Sequence, residues 1–276
     1  MADPIISVQN VAMRYSTITR TPDDCDVIEA IREISIDIFP GEFLCLLGPT
    51  GCGKSTLLNI IGGLVAPTQG AVVIEGQKIT TPHPKVTMVF QESSIFPWRT
   101  TCKNVEFGLE LKGIDKKIRS EKSREILSLV GLSGFEDRYP SELSGGMNQR
   151  VAIARALALE PDILLMDEPF GALDEQTRLI MGTELLRIWY QTKKTIIFVT
   201  HSISEAIMMS TRIAIFSARP STIKDVISVD IPAPRNLLTL ATDTFKTIQN
   251  RVWDSLREES LKAMEEGGRR SNGSST

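Results

Sequence analysis

The sequence predicts an α/β core carrying a helical insert, and three observations lead to that fold class. Strand-like segments occur both before and after a stretch of helical character. A glycine-rich turn, "GPTGCGKST", joins a buried apolar run to a helix. Strand-helix alternation then resumes downstream of the insert, as an α/β fold requires.

Taken in order, residues 5–47 read as strands. "ISIDIF" (Ile34 to Phe39) alternates apolar and polar residues, and "FLCLL" is a continuous buried run. A helix follows from Lys54 to about Gly63, then two short strands, "AVVIEG" and "VTMVF". From about Gln91 to Leu157 the pattern is helical, punctuated by turn signals at "FPWRT", "KGID" and "RYPSELSGG". The strands "DILLMDE", "TIIFVTH" and "RIAIFSA" bracket a helix over 175–190. Beyond Leu237, apolar residues at Leu238, Ala241, Phe245, Ile248, Val252 and Leu256 are spaced for one face of an amphipathic helix. That helix packs back onto the core or makes a dimer contact, and "GGRRSNGSST" reads as a disordered tail.

Composition narrows the function classes. The chain has 276 residues, 42% hydrophobic and 24% charged, with a formal net charge of −3. No global basic field invites nucleic acid or an anionic membrane surface. No apolar run approaches the roughly 18–20 residues needed to cross a bilayer, and "MADPIISVQN" lacks the features of a secretory signal. Cys25, Cys45, Cys52 and Cys102 have no metal-ligand spacing and read as free thiols in a reducing cytoplasm.

The turn from Gly48 to Thr56 fits G-x-x-x-x-G-K-[ST] in the strand-turn-helix context that motif requires. Gly48, Pro49, Thr50, Gly51, Cys52, Gly53, Lys54, Ser55 and Thr56 form the expected phosphate cradle. Glycines let backbone N–H groups ring the phosphates, and the helix N-terminus adds a positive dipole end. Lys54 reaches the β/γ-phosphates and the Ser55 hydroxyl ligates Mg²⁺. Cys52 sits inside this loop, where a thiol reagent would block nucleotide. At the end of "DILLMDEP", Asp167 is placed to organise Mg²⁺, and Glu168 to polarise an attacking water. A solvated strand-end pair of carboxylates is the alternative. A second glycine turn, "ELSGGMNQR", also opens a helix, with Ser144 suited to its N-cap and Ser144, Gly145 and Gly146 suited to phosphate.

The order "GPTGCGKST", Gln91, "LSGG" (Leu143 to Gly146), "DILLMDE", "GALD" (Gly171 to Asp174) and His201 resembles the ATPase subunit of an ATP-binding cassette (ABC) transporter. The resemblance runs from about residue 5 to residue 235. It implies a P-loop NTPase, RecA-like core with an N-terminal antiparallel β part and an inserted α-helical lobe. Residues 1–235 would be the nucleotide-binding domain, with the lobe at approximately 91–157, and 236–276 a C-terminal helix and disordered tail. It further implies ATP and Mg²⁺ as ligands, with Tyr15 stacking on adenine. Gln91 would serve as Mg²⁺ and water ligand on a moving loop, and His201 would contact the γ-phosphate. Asp174 would face a partner subunit, and it also reads as the N-cap of the next helix. Tyr15 and Gln91 have plainer readings as a strand aromatic and a loop amide. His83 reads as a surface residue. Met147 stands where the commonest form of the signature has Gln, so no side-chain amide is available there; importer subunits of the family carry such variants.

The resemblance implies partners too: a second copy of the chain closing over two ATP, separate integral-membrane permease subunits, and indirectly an extracytoplasmic solute-binding protein. No nucleic acid is expected. The chain would lie peripherally on the cytoplasmic face of the plasma membrane. "VFQESSIFPWRTTCKNVEFGLELKG" and "IFSARPSTI" are similar to segments of nitrate, sulfonate, taurine and bicarbonate importers. Importers of pyrimidine vitamin precursors or aromatic acids share such strings. Phe96, Pro97 and Trp98 would form an apolar groove for a permease helix, or else pack onto their own lobe. A soluble cassette ATPase of DNA repair or translation is the second class, opposed by the single cassette and the net charge. A P-loop kinase or GTPase is the third, opposed by "LSGG" and His201.

Overall fold

The computed structural model describes residues 3–18, 25–171 and 173–272. The chain divides into two compact units, Met1–His83 with Ile197–Thr276, and Pro84–Ile196.

The first unit contains two sheets. β1 (Ile6–Ile18), β2 (Cys25–Ile38), β4 (Gln69–Ile74) and the short β5 (Gln77–Lys78) form an antiparallel sheet in the order β2-β1-β4-β5. Here β2 is much longer than the "ISIDIF" stretch. It pairs with β1 down to Ile18↔Cys25, and the pairing is interrupted by register shifts between Val8 and Arg14. A second run of strands, β10-β9-β3-β8, comprises β3 (Phe43–Leu47), β8 (Thr195–Thr200), β9 (Arg212–Phe216) and β10 (Ile223–Ser228). β3 lies parallel to β9, and β9 antiparallel to β10. β3 is buried at every residue, so it reads as an unbroken apolar run.

Helix α1 (Lys54–Ile61) follows β3, and α6 (Ile203–Met209) follows β8. The C-terminal helix α7 spans Asp243–Asn272. Phe245, Val252 and Leu256 are buried along it and Ile248 half-buried, so the helix packs on its own unit. Each such burial contributes about 1.5–3 kcal/mol. Two features depart from the sequence reading. Leu238 and Ala241 fall in a 3₁₀ turn over Leu237–Ala241 and are exposed, because Asn236 and Thr242 stop the chain on either side. Helix α7 also runs to Asn272, past the start of the segment expected to be disordered, since each residue added to an existing helix gains a hydrogen bond. Residues 273–276 and the Cys25 side chain lie outside what the structure describes.

In the second unit, β6 (Val86–Val89) and β7 (Ile163–Asp167) pair in parallel. Four helices accompany them: α2 (Thr101–Leu111), α3 (Lys116–Leu129), α4 (Gly145–Ala158) and α5 (Glu175–Thr192). Helix starts follow local chemistry. The Thr100, Asp115, Ser144 and Asp174 side chains each accept a backbone N–H in the first turn. Glu106, buried in α2, accepts hydrogen bonds from Lys103 at 2.7 Å and Arg119 of α3 at 3.3 Å. Burial alone would raise its carboxyl pKa, but these donors hold it below the ordinary value.

Candidate functional site

The phosphate loop leaves β3 at Leu47 and turns into α1 at Lys54. Two of its glycines are fixed by their surroundings. A Cβ on Gly48 would come within 2.8 Å of Phe216 Cβ, and Gly53, at φ +114°, would bring one within 3.0 Å of the Ala30 carbonyl. Both positions therefore exclude side chains. Lys54 is buried at 4% exposure, and its Nζ donates to the Gly48 and Pro49 carbonyls, each at 2.8 Å. The ammonium is thus held over the loop, where an anion entering the ring of backbone N–H groups would meet it. Thr50, Gly51 and Ser55 are exposed, and Thr56 is half-buried. Cys52 is buried at 3%, and burial pushes its thiol pKa up, opposed by the nearby Lys54 charge. A thiol reagent therefore meets a shielded, protonated sulfur rather than the accessible group the sequence suggested.

Two further expected residues lie in the same unit. Tyr15 stands on β1 opposite Ile28 and is 40% exposed, so its ring presents a face for stacking. His201 is exposed immediately after β8. The turn beyond it is tight: Ser202 caps α6, and the Thr200 hydroxyl donates to the Glu205 carboxylate at 2.6 Å. His83 is half-buried.

The second unit brings together Gln91, Glu168 and Gly171. A Cβ built on Gly171 would lie 3.7 Å from both Gln91 Nε2 and Glu168 Oε2. The amide and the carboxylate therefore converge above a residue that leaves them room. Glu168 has a positive φ of 41°, unusual for a residue with a side chain, and its carbonyl accepts the Gly171 N–H at 3.0 Å. This bend turns Glu168 away from the line of β7, which ends at Asp167.

The second glycine turn is built differently. Ser144 Oγ accepts the Met147 N–H at 3.3 Å as the N-cap of α4, and Ser144 and Gly145 are exposed. Met147 thus takes part through its backbone. Gly146 is buried because a Cβ there would come within 2.9 Å of Thr177 Cγ2 on α5. Asp174 caps α5, accepting the Thr177 N–H at 3.0 Å and its hydroxyl at 2.7 Å. The backbone N–H of Thr177, with its hydroxyl, holds the Asp174 carboxyl below the ordinary carboxylate range. A cleft of about 480 Å³ is lined by Gln91, Ser93, Gly145, Gln149, Pro169 and Leu173. It joins the Gln91 loop to the start of α4.

Some organising residues were not singled out from the sequence. Arg155 of α4 donates to the Ser94 carbonyl at 2.9 Å and the Ser93 carbonyl at 3.4 Å, and lies 5.4 Å from the Phe96 ring centroid. Buried Asn104 accepts the Phe96 N–H at 2.7 Å and donates to the Phe96 and Arg99 carbonyls. Phe96 packs edge-on against Phe107 at 4.6 Å, leaving Trp98, 71% exposed, as the open aromatic of that loop. An arginine amid the apolar residues of α4 was the available signal.

The donor set suits Mg²⁺. Taken singly, Ser55, Gln91 and Asp167 each carry a side-chain oxygen of the kind a hard cation takes. Among the described residues no cluster of three or more His, Cys, Asp or Glu forms a dedicated metal cage. No helix among the described residues is long and apolar enough to cross a membrane.

The family model for ABC transporters matches residues 31–171. An uncharacterized ABC transporter ATP-binding protein of Methanocaldococcus jannaschii is 48% identical over 86% of this chain and 88% of its own. The aliphatic sulfonates import ATP-binding protein SsuB of Bacillus cereus is 44% identical over 95% of this chain and 97% of its own. The nitrate import ATP-binding protein NrtD of Synechocystis is 44% identical over 84% and 83%. A dimeric, post-hydrolysis structure of an ATP-binding cassette bound to ADP and Pi aligns with a TM-score of 0.71 at 32% identity, covering 82% of this chain and 100% of that one. Family match, identity and fold agree, and the chain belongs to the ABC transporter family as one of its ATP-binding ATPase cassettes.

Proposed function

We propose that the chain powers an importer for a small, anionic solute of the sulfonate or nitrate class through a separate permease. Support for the cargo class comes from similarity to proteins named for sulfonate and nitrate import. The chain would sit peripherally on the cytoplasmic face of the membrane, with Trp98 as an anchor for a permease helix and an extracytoplasmic protein delivering the solute. Residues 1–235 act as the nucleotide-binding domain, with a helical lobe over approximately 91–157.

The observation that carries the hydrolytic reading is the convergence of Gln91 Nε2 and Glu168 Oε2 above Gly171. Tyr15 stacks on adenine, and Gly48 to Thr56 hold the phosphates through backbone N–H groups and Lys54. Ser55, Gln91 and Asp167 would hold Mg²⁺, which would neutralise developing phosphate charge. Glu168 accepts a proton from the attacking water, and His201 orients the γ-phosphate. Ser144, Gly145 and Gly146 close on ATP held by a second copy, with Asp174 beside that interface.

Glu168→Gln tests the central role. The variant is expected to bind ATP, lose turnover by about 10²–10⁴-fold, and elute as an ATP-bound dimer on a sizing column. Wild-type turnover in that variant removes Glu168 as the base.

A further inference from the structure

The connection between β9 and β10 stands behind the phosphate loop at three successive points. Phe216 Cβ limits Gly48 to a hydrogen, and Ser221 Oγ would lie 3.1 Å from a Cβ on Gly53. Between them, Arg219 Nη2 donates to the Gly51 carbonyl at 2.5 Å. This connection is itself braced. The Ala218 N–H donates to Glu259 Oε2 of α7 at 2.9 Å, and Glu259, 4% exposed, also accepts Lys224 Nζ at 3.2 Å. Ser221 N–H and Oγ both donate to the Ala30 carbonyl, at 3.1 and 3.2 Å.

We propose that Arg219 is a positioning residue of the phosphate loop, fixing the Gly51–Cys52 peptide, and that Glu259 of α7 keeps Arg219 in place. The inference rests on the reading of Gly48 to Thr56 as the phosphate cradle. In a trans peptide the carbonyl and the following N–H point in opposite directions. Arg219 holds the Gly51 oxygen on the outer side, so the Cys52 N–H faces the inside of the turn, where it reaches the Pro49 carbonyl at 3.4 Å. Gly51, at φ +75°, has no side chain to resist rotation of that peptide. A rotated peptide would aim a carbonyl oxygen at an anion that needs an N–H. A charge-assisted hydrogen bond is the stronger kind of restraint, and it comes from a residue far along the chain. The segment "SARPS" and the C-terminal helix thereby acquire a role in nucleotide binding.

The test uses the full-length protein, measuring KM for ATP, kcat, the melting midpoint and amide hydrogen exchange across residues 50–53. Arg219→Ala is expected to raise KM about tenfold. Its kcat should stay within about twofold, because the loop grips ground and transition states alike. Exchange over residues 50–53 should quicken. Arg219→Lys should fall between Ala and wild type, and Glu259→Ala should raise KM about threefold. If Arg219→Ala does not fold, Arg219→Lys decides: raised KM with faster exchange supports the proposal, and unchanged KM and exchange overturn it. Lys54→Ala separates the two readings. If it abolishes ATP binding while Arg219→Ala leaves KM within about twofold, the Arg219 role alone is overturned. If Lys54→Ala binds ATP like wild type, the phosphate-cradle reading itself fails, and this inference with it.

Discussion

The two glycine turns look alike on paper and are built in opposite ways. Gly48 to Thr56 is enclosed at its base: Phe216 and Ala30 wall Gly48 and Gly53, and Lys54 and Cys52 are buried, while Thr50, Gly51 and Ser55 stay exposed. Leu143 to Gly146 is open on one side: Ser144 and Gly145 face outward, and only Gly146 is pressed against α5. An enclosed turn can surround an anion with its own backbone. An open helix start supplies a few donors and a dipole end, and needs a surface brought from elsewhere to complete a site. The proposed site shared between two copies asks for this contrast.

Ser144→Arg should break the contrast most sharply. A long cation on the open turn blocks approach of a second copy but leaves the enclosed turn alone. Hydrolysis should fall by about 10²–10³-fold, as when a transition-state donor is lost, while the monomer still binds ATP by equilibrium titration. Normal hydrolysis would mean the two turns do not cooperate across chains.

Adding one methyl group to each turn should separate them next. Gly48→Ala forces a contact of 2.8 Å with Phe216, and overpacking of that kind costs about 1–3 kcal/mol. Gly145→Ala meets nothing nearer than Leu173 Cδ2 at 3.9 Å. Its melting midpoint should hold or rise slightly, since alanine favours helix over glycine. Equal losses in calorimetry would refute the open-and-closed description.

A smaller effect concerns pH. Asp174 has a folded pKa below its unfolded one, so its capping contribution is complete above the unfolded value and disappears as pH falls through the lower folded value. Asp174→Asn should flatten that part of the melting profile as pH falls from about 5 toward 2. An unchanged profile would show that the cap does not respond to charge. The smallest effect is chemical. Burial raises the Cys52 thiol, and Cys102 is pushed up to about 11. At about pH 8, where an ordinary thiol reacts readily, both should resist iodoacetamide until the protein is denatured, as counted by mass spectrometry.

What the sequence made legible was local. The phosphate loop, the acidic pair at the end of β7 and the caps at Ser144 and Asp174 depend on neighbours within a few residues, so spacing reveals them. Arg155 and Arg219 act on carbonyls 61 and 168 residues away, and no periodicity announces such a contact. Phe96 was open to two readings, a groove for a permease helix or packing onto its own lobe, and Phe107, Arg99 and Arg155 surround it. The start of α7 was misplaced by a few residues, because Leu238 and Ala241 happen to continue its apolar spacing. The backbone bend at Glu168 has no sequence signature at all.

That bend has a consequence for anyone trying to make this protein hardier. A residue with a side chain held at φ +41° costs on the order of 1–3 kcal/mol, and glycine would adopt the same geometry freely. A screen scored only on heat resistance should therefore favour Glu168→Gly, and with Glu168 as the proposed base it would select a sturdier protein at the expense of turnover.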